Sequence, residues 1–120
     1  MSKLRIRHEL LKKNGKIELK KFSEQGRDHY HLRVFIEGDL DRIEYVSYEL
    51  HPTFNRPDRS SNDPRSNFDI DFWTWGEFEM RATVYFKTGT PKEKEIVYYL
   101  SYSDELPPDD ASYLYVSKGH

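Results

Sequence analysis

Apolar and polar residues alternate along much of this chain with a period of two, the spacing of a strand that buries one face. Phe78, Met80, Ala82, Val84 and Phe86 fall on one side, with Glu79, Arg81, Thr83, Tyr85 and Lys87 on the other. Tyr30, Leu32, Val34 and Ile36 repeat the pattern against His31, Arg33, Phe35 and Glu37, and Ile96, Tyr98, Leu100 and Tyr102 form a third run. A fourth run, Val46, Tyr48 and Leu50, has Ile43 and Tyr45 opposite it, which predicts that its second face is partly covered too. Tyr113, Leu114, Tyr115 and Val116 predict a final edge strand. No window carries a helical stripe.

Turn chemistry separates these runs. Asn14-Gly15, between Leu11 and Ile17, predicts a type I′ hairpin, whose two central residues need positive φ. Gly38-Asp39 and Thr88-Gly89-Thr90-Pro91 divide later strands. Short strands with turn signals between them predict an antiparallel sandwich or barrel. A chain of 120 residues is one domain's worth, enough to bury a core without covalent staples. Two segments break the alternation. Residues 51–66 read as a long loop carrying Pro52, Pro57 and Pro64, and residues 72–78 gather both tryptophans at a glycine turn.

Composition narrows the function classes. With no cysteine, disulfides, thiolate zinc sites and a thiol nucleophile are excluded. The formal charge is −2, without the basic excess of a general nucleic-acid binder. No apolar run approaches the ~20 residues of a membrane helix, and the first residues lack the apolar stretch of a signal peptide. A cytoplasmic protein fits, with no membrane or nucleic-acid partner expected. Asp28, His29 and His31 have metal-like spacing, but an exposed strand face is the simpler reading, and no metal is expected. Asp69 and Asp71 share a face as solvated carboxylates, Ser60, Ser61 and Ser101 lack a nucleophile elbow, and the glycines form no phosphate cradle. No catalytic residue or cofactor is expected.

The irregular segments carry a resemblance. Leu50-His51-Pro52-Thr53-Phe54, a Pro/Arg-rich loop, Trp75-Gly76-Glu77-Phe78 and Val84-Tyr85-Phe86-Lys87 together resemble a YEATS domain, closest to its prokaryotic branch, over about residues 28–102. The resemblance implies an immunoglobulin-like antiparallel β-sandwich of about seven or eight strands, and a non-enzymatic module that reads acylated lysine, mainly acetyl or crotonyl. It further implies that Phe54 and Trp75 sandwich a planar acyl-amide, that His51 and Thr53 give polar support, and that Gly76 gives backbone access. Such a slot is physically sound. Acylation removes the lysine charge and makes the group cheap to desolvate, its flat amide stacks between rings, and its buried N–H and C=O still need partners.

Two residues depart from the family pattern. Thr74 stands where a glycine is usual, and a β-branched residue resists positive φ. Trp73 stands where a small residue is usual, and it shares a face with Trp75 if the segment stays extended, either enlarging the slot or filling it. The candidate site is thus His51, Thr53, Phe54, Trp73, Thr74, Trp75 and Gly76, with an acylated-lysine peptide or another protein as partner. The alternative is a protein–protein interaction or structural sandwich of a bacterial signalling or effector protein, whose aromatic end docks another domain. The acyl type, the partner and the oligomeric state are left open.

Overall fold

The computed structural model describes residues 4–22, 27–54, 56–89 and 92–115. Ten strands occur among them: β1 (Arg5–Leu10), β2 (Lys12–Lys13), β3 (Lys16–Phe22), β4 (Arg27–Glu37), β5 (Ile43–Glu49), β6 (Asp58–Ser61), β7 (Ile70–Thr74), β8 (Phe78–Phe86), β9 (Glu93–Leu100) and β10 (Tyr113–Tyr115). The remaining regular structure is three single-turn 3₁₀ segments at Pro64–Ser66, Ser103–Glu105 and Asp110–Ser112.

The strands form two sheets. In one, β4 takes β7 on one edge through Tyr30–Val34, and β1 and then β3 on the other. The second sheet runs β6-β5-β8-β9. All pairings are antiparallel except β3 with β10, which is parallel. The expected immunoglobulin-like sandwich is thus present, with its final strand added in the opposite sense.

The core is what the alternation predicts. Leu32, Val34 and Ile36 of β4 face Val46 and Tyr48 of β5 and Met80, Ala82 and Val84 of β8, all buried. Ile43 is buried as well, although it lies out of phase with Val46. A register irregularity between Ile43 and Tyr45 shifts the strand by one position, as a bulge does. Ile43 therefore points into the core, while Tyr45 stays outside and stacks on Tyr85 (centroids 4.4 Å apart, 15° between planes).

Asn14 and Gly15 adopt φ of 56° and 78°, as the β2–β3 hairpin requires. Thr90 and Pro91 of the later turn, and Val116 of the final strand, lie outside the described residues. The long Pro-rich loop is the main correction. Its centre forms β6, paired with β5 from Val46–Ser61 to Glu49–Asp58, and its end is a 3₁₀ turn capped by Asp63 and closed by left-handed Asn67. The sequence Asp58-Arg59-Ser60-Ser61 has no apolar alternation, so only the strand beside it reveals this edge.

Candidate functional site

The segment after β5 is held by its own first residue. The Phe54 N–H donates to the His51 carbonyl (3.0 Å), and the Thr53 N–H donates to His51 Nδ1 (3.2 Å). Thr53 Oγ1 also lies 2.9 Å from Nδ1. A ring nitrogen that accepts from a backbone N–H carries no proton, so the Thr53 hydroxyl is the donor in this contact. Its lone pairs are thereby directed away from the imidazole, able to accept from an amide N–H.

Phe54 is half-buried. Its ring meets Phe72 edge-on (5.5 Å, 85°) and Phe78 at 5.2 Å, while the His51 ring stands edge-on to Phe78 at 6.2 Å. Phe72 and Phe78 bracket the β7–β8 turn, so these contacts bring His51, Thr53 and Phe54 to the end of the sandwich that carries Trp75 and Gly76. Arg59 closes one side. Its guanidinium lies 5.9 Å from the Phe54 ring and donates to the Arg56 and Asp71 carbonyls, bridging edge strands β6 and β7. A polar groove of about 590 Å³ runs between those strands, lined in part by Asp58, Asp69 and Asp71.

The β7–β8 turn uses threonine chemistry. Thr74 ends β7 without positive φ and is buried. Its hydroxyl donates to the Gly76 carbonyl (2.9 Å) and accepts from the Gly76 N–H (3.3 Å), folding the backbone round Trp75. Trp75 is left 45% exposed. Gly76 is also free of positive φ, and a Cβ placed on it would meet open space.

Glu77 locks the turn to the chain after β9. One carboxylate oxygen accepts from the Ser101 hydroxyl (3.1 Å), the Tyr102 N–H (2.8 Å) and the Ser103 N–H (2.9 Å). These donors, the Ser103 amide first, hold its pKa down at about 2. Beneath it Tyr102 is buried against Tyr30, and burial pushes its hydroxyl up to about 12 despite the Thr74 hydroxyl nearby.

Residues 30–101 match the family profile described as the prokaryotic YEATS domain. The chain belongs to this family. Among curated proteins it is similar to transcription initiation factor TFIID subunit 14 of Schizosaccharomyces pombe, 38% identical over 76 residues, covering 62% of this chain and 30% of that protein. It is also similar to the Protein AF-9 homolog of the same organism, 32% identical over 78 residues, covering 60% and 35%. The chain thus spans about a third of the length of the curated relatives it matches. Among solved structures it is similar in fold to the Yaf9 YEATS domain recognizing an H3K122suc peptide (TM-score 0.60, 21% identity, 88% of this chain and 78% of that one). The same domain bound to H3K27ac gives a TM-score of 0.58 at 23% identity, covering 92% and 78%.

Trp73 does not join the other candidate residues of this YEATS domain. Phe54 packs on Phe72, and Trp73 lies on the opposite face of β7. There its ring stacks on His31 (4.5 Å, 8°) under the Lys20 ammonium, 5.3 Å from the ring centroid. The expectation that it enlarges or fills the slot is corrected by strand alternation: β7 stays regular through Thr74, so Trp73 points outward.

The same stack changes the reading of His29 and His31. His29 is buried, and His31 lies between Asp71 (2.6 Å) and Glu18 (3.3 Å), so this strand face is covered rather than exposed. The side chain of Asp28 lies outside the described residues. No group of three or more metal-ligating side chains that could hold an ion occurs among the described residues. Asp69 is paired with Arg33 at 2.6 Å rather than simply solvated.

Glu77, Arg59 and Tyr102 are the residues that sequence reasoning left without a role. Glu77 sat inside the Trp75-Gly76-Glu77-Phe78 motif, but its three donors come from about 25 residues away and have no sequence signal.

Proposed function

We propose that this YEATS domain is a non-enzymatic recognition module that holds a planar acyl-amide, as in an acetylated or crotonylated lysine, at the end carrying His51, Thr53, Phe54, Thr74, Trp75 and Gly76. The observation that carries this reading is the pairing of Thr53 with His51. It fixes the hydroxyl as a donor to imidazole and so aims an acceptor at a ligand N–H. Phe54, propped on two further rings, and exposed Trp75 supply the aromatic surface. Open space beside Gly76 allows close approach to backbone. The Yaf9 YEATS domain recognizing an H3K122suc peptide and the same domain bound to H3K27ac support an acylated-lysine peptide as the ligand class. Unmodified lysine is rejected because stripping water from its ammonium is costly.

Titration of acetyl-, crotonyl- and unmodified lysine peptides into isotope-labelled protein tests this. Amide shifts at residues 51–54 and 74–76 with the acylated peptides alone are expected. Their absence at millimolar peptide refutes the acyl-lysine reading. The packing of Phe54 onto Phe72 and Phe78 favours a second reading, in which this end is a firm aromatic cap that docks another protein domain.

A further inference from the structure

The outer face of the β6-β5-β8-β9 sheet combines exposed apolar groups with carboxylates. Strand register sets its cross-strand rows as Tyr45–Tyr85–Glu93, Ser47–Thr83–Glu95, Glu49–Arg81–Val97 and Glu79–Tyr99. Val97 is 54% and Tyr99 59% exposed, large apolar groups left open on this face. Tyr45 and Tyr85 stack into one aromatic platform. The carboxylates of Glu44, Glu49, Glu79, Glu93 and Glu95 lie among these groups. Against them stand Arg81, with one long contact to Glu95 (3.9 Å), and exposed Lys87, which continues the same side just past the end of β8, so carboxylates still outnumber cations here. The whole chain carries only −2, so this concentration of negative charge belongs to the face and not to the composition.

The face also has a socket. A depression of about 330 Å³ opens where the β5 irregularity brings Glu44 and Tyr45 beside Ser60, Ser61 and Asn62 of the β6 end. It offers a carboxylate, an aromatic face and small polar side chains in a space suited to a single side chain. A guanidinium uses all three, since it stacks on a ring while its in-plane N–H groups donate to a carboxylate and to hydroxyl or amide oxygens. An ammonium uses fewer, and the charge of the face repels nucleic acid.

We propose that this face docks an arginine-rich segment of a partner protein, with one guanidinium seated on Tyr45 beside Glu44. The site is separate from the acyl-lysine end. Tyr85 lies seven residues along β8 from Phe78, about 23 Å at strand spacing.

The test is titration of isotope-labelled domain, at 150 mM salt, with a ten-residue Arg-Gly repeat peptide and its Lys-Gly and Gln-Gly counterparts. The Arg peptide shifts the amides of Glu44, Tyr45, Tyr85 and Glu93, the Lys peptide binds several-fold more weakly, and the Gln peptide does not bind. Glu44→Gln, an exposed change that leaves thermal unfolding in place, weakens the Arg peptide about tenfold, as the loss of a charge-assisted pair does; Tyr45→Leu removes the preference for Arg over Lys. Equal binding of the Arg and Lys peptides, an unaffected Glu44→Gln variant, or no shift on this face at millimolar Arg peptide overturns the proposal.

Discussion

Replacing Glu77 with Gln tests how the β7–β8 turn of the candidate site is held against the chain that follows β9. The native carboxylate gathers three donors on one oxygen, two of them backbone N–H groups of the segment that follows β9. Glutamine keeps an oxygen there but loses the charge, and hydrogen bonds to charged groups contribute about 1.5–3 kcal/mol against about 1 for neutral ones. The same donors hold the Glu77 pKa down at about 2, which points in the same direction. A shift of that size from the ordinary carboxylate range corresponds to about 3 kcal/mol before screening, and because Glu77 is only partly shielded from water, about 1–2 kcal/mol is the expected net loss.

The sign of the pH dependence follows from the direction of the shift. A carboxylate whose folded pKa is lowered stabilises the fold fully above its unfolded pKa, near 4.5, and loses that contribution as pH falls toward 2. Urea unfolding of both proteins at pH 7, 5, 4 and 3 is the assay. The gap between wild type and Glu77→Gln is expected to be about 1–2 kcal/mol at pH 7 and 5, then to shrink through pH 4 and 3. A gap that stays constant down to pH 3 refutes the idea that the charge organises this turn.

Three further substitutions separate site from scaffold. Gly76→Ala places a methyl in open space and is expected to shift stability by less than about 0.5 kcal/mol in thermal unfolding, while weakening acylated-peptide binding in a titration. Trp73→Ala removes the His31 stack on the outer face, so unfolding shows lower stability while acyl-lysine affinity stays at the wild-type value. Tyr48→Phe deletes the hydroxyl that donates to the Phe68 carbonyl at 2.5 Å, beneath a backbone held at φ 54°; the orphaned carbonyl is expected to cost about 1–3 kcal/mol in urea unfolding.

The strand frame was legible because each buried face is written locally. The alternation over Phe78–Phe86 marks β8 without reference to any other part of the chain. Ile43 was misread because a single irregular position inverts the phase of everything before it, and period-two reading assumes an unbroken strand. β6 was missed because an edge strand of Asp, Arg and Ser takes its structure from backbone bonding to β5, which side-chain pattern does not record. Trp73 could be placed only once β7 was known to stay extended to Thr74 with β4 beside it, because His31 is 42 residues away from its stacking partner.

Thr74 shows why a departure from a motif need not break the site. Glycine serves a turn by reaching positive φ, a backbone solution. Threonine cannot do so cheaply, but its hydroxyl can donate to one peptide group and accept from another. Here it does both with Gly76, and so bends the chain round Trp75 while keeping strand backbone itself. The substitution has a consequence for recognition. The Gly76 N–H, one of the backbone donors near the expected acyl oxygen, is already engaged by Thr74, although at a long 3.3 Å. A ligand carbonyl must compete with that contact, whereas the lone pairs of Thr53 face no comparable rival along its bond to His51. Under the proposed acyl-lysine reading, Thr53 is therefore expected to carry more of the polar recognition than a turn built on glycine at position 74 would require of it. Thr53→Ala then weakens acylated-peptide binding in a titration while thermal unfolding changes little.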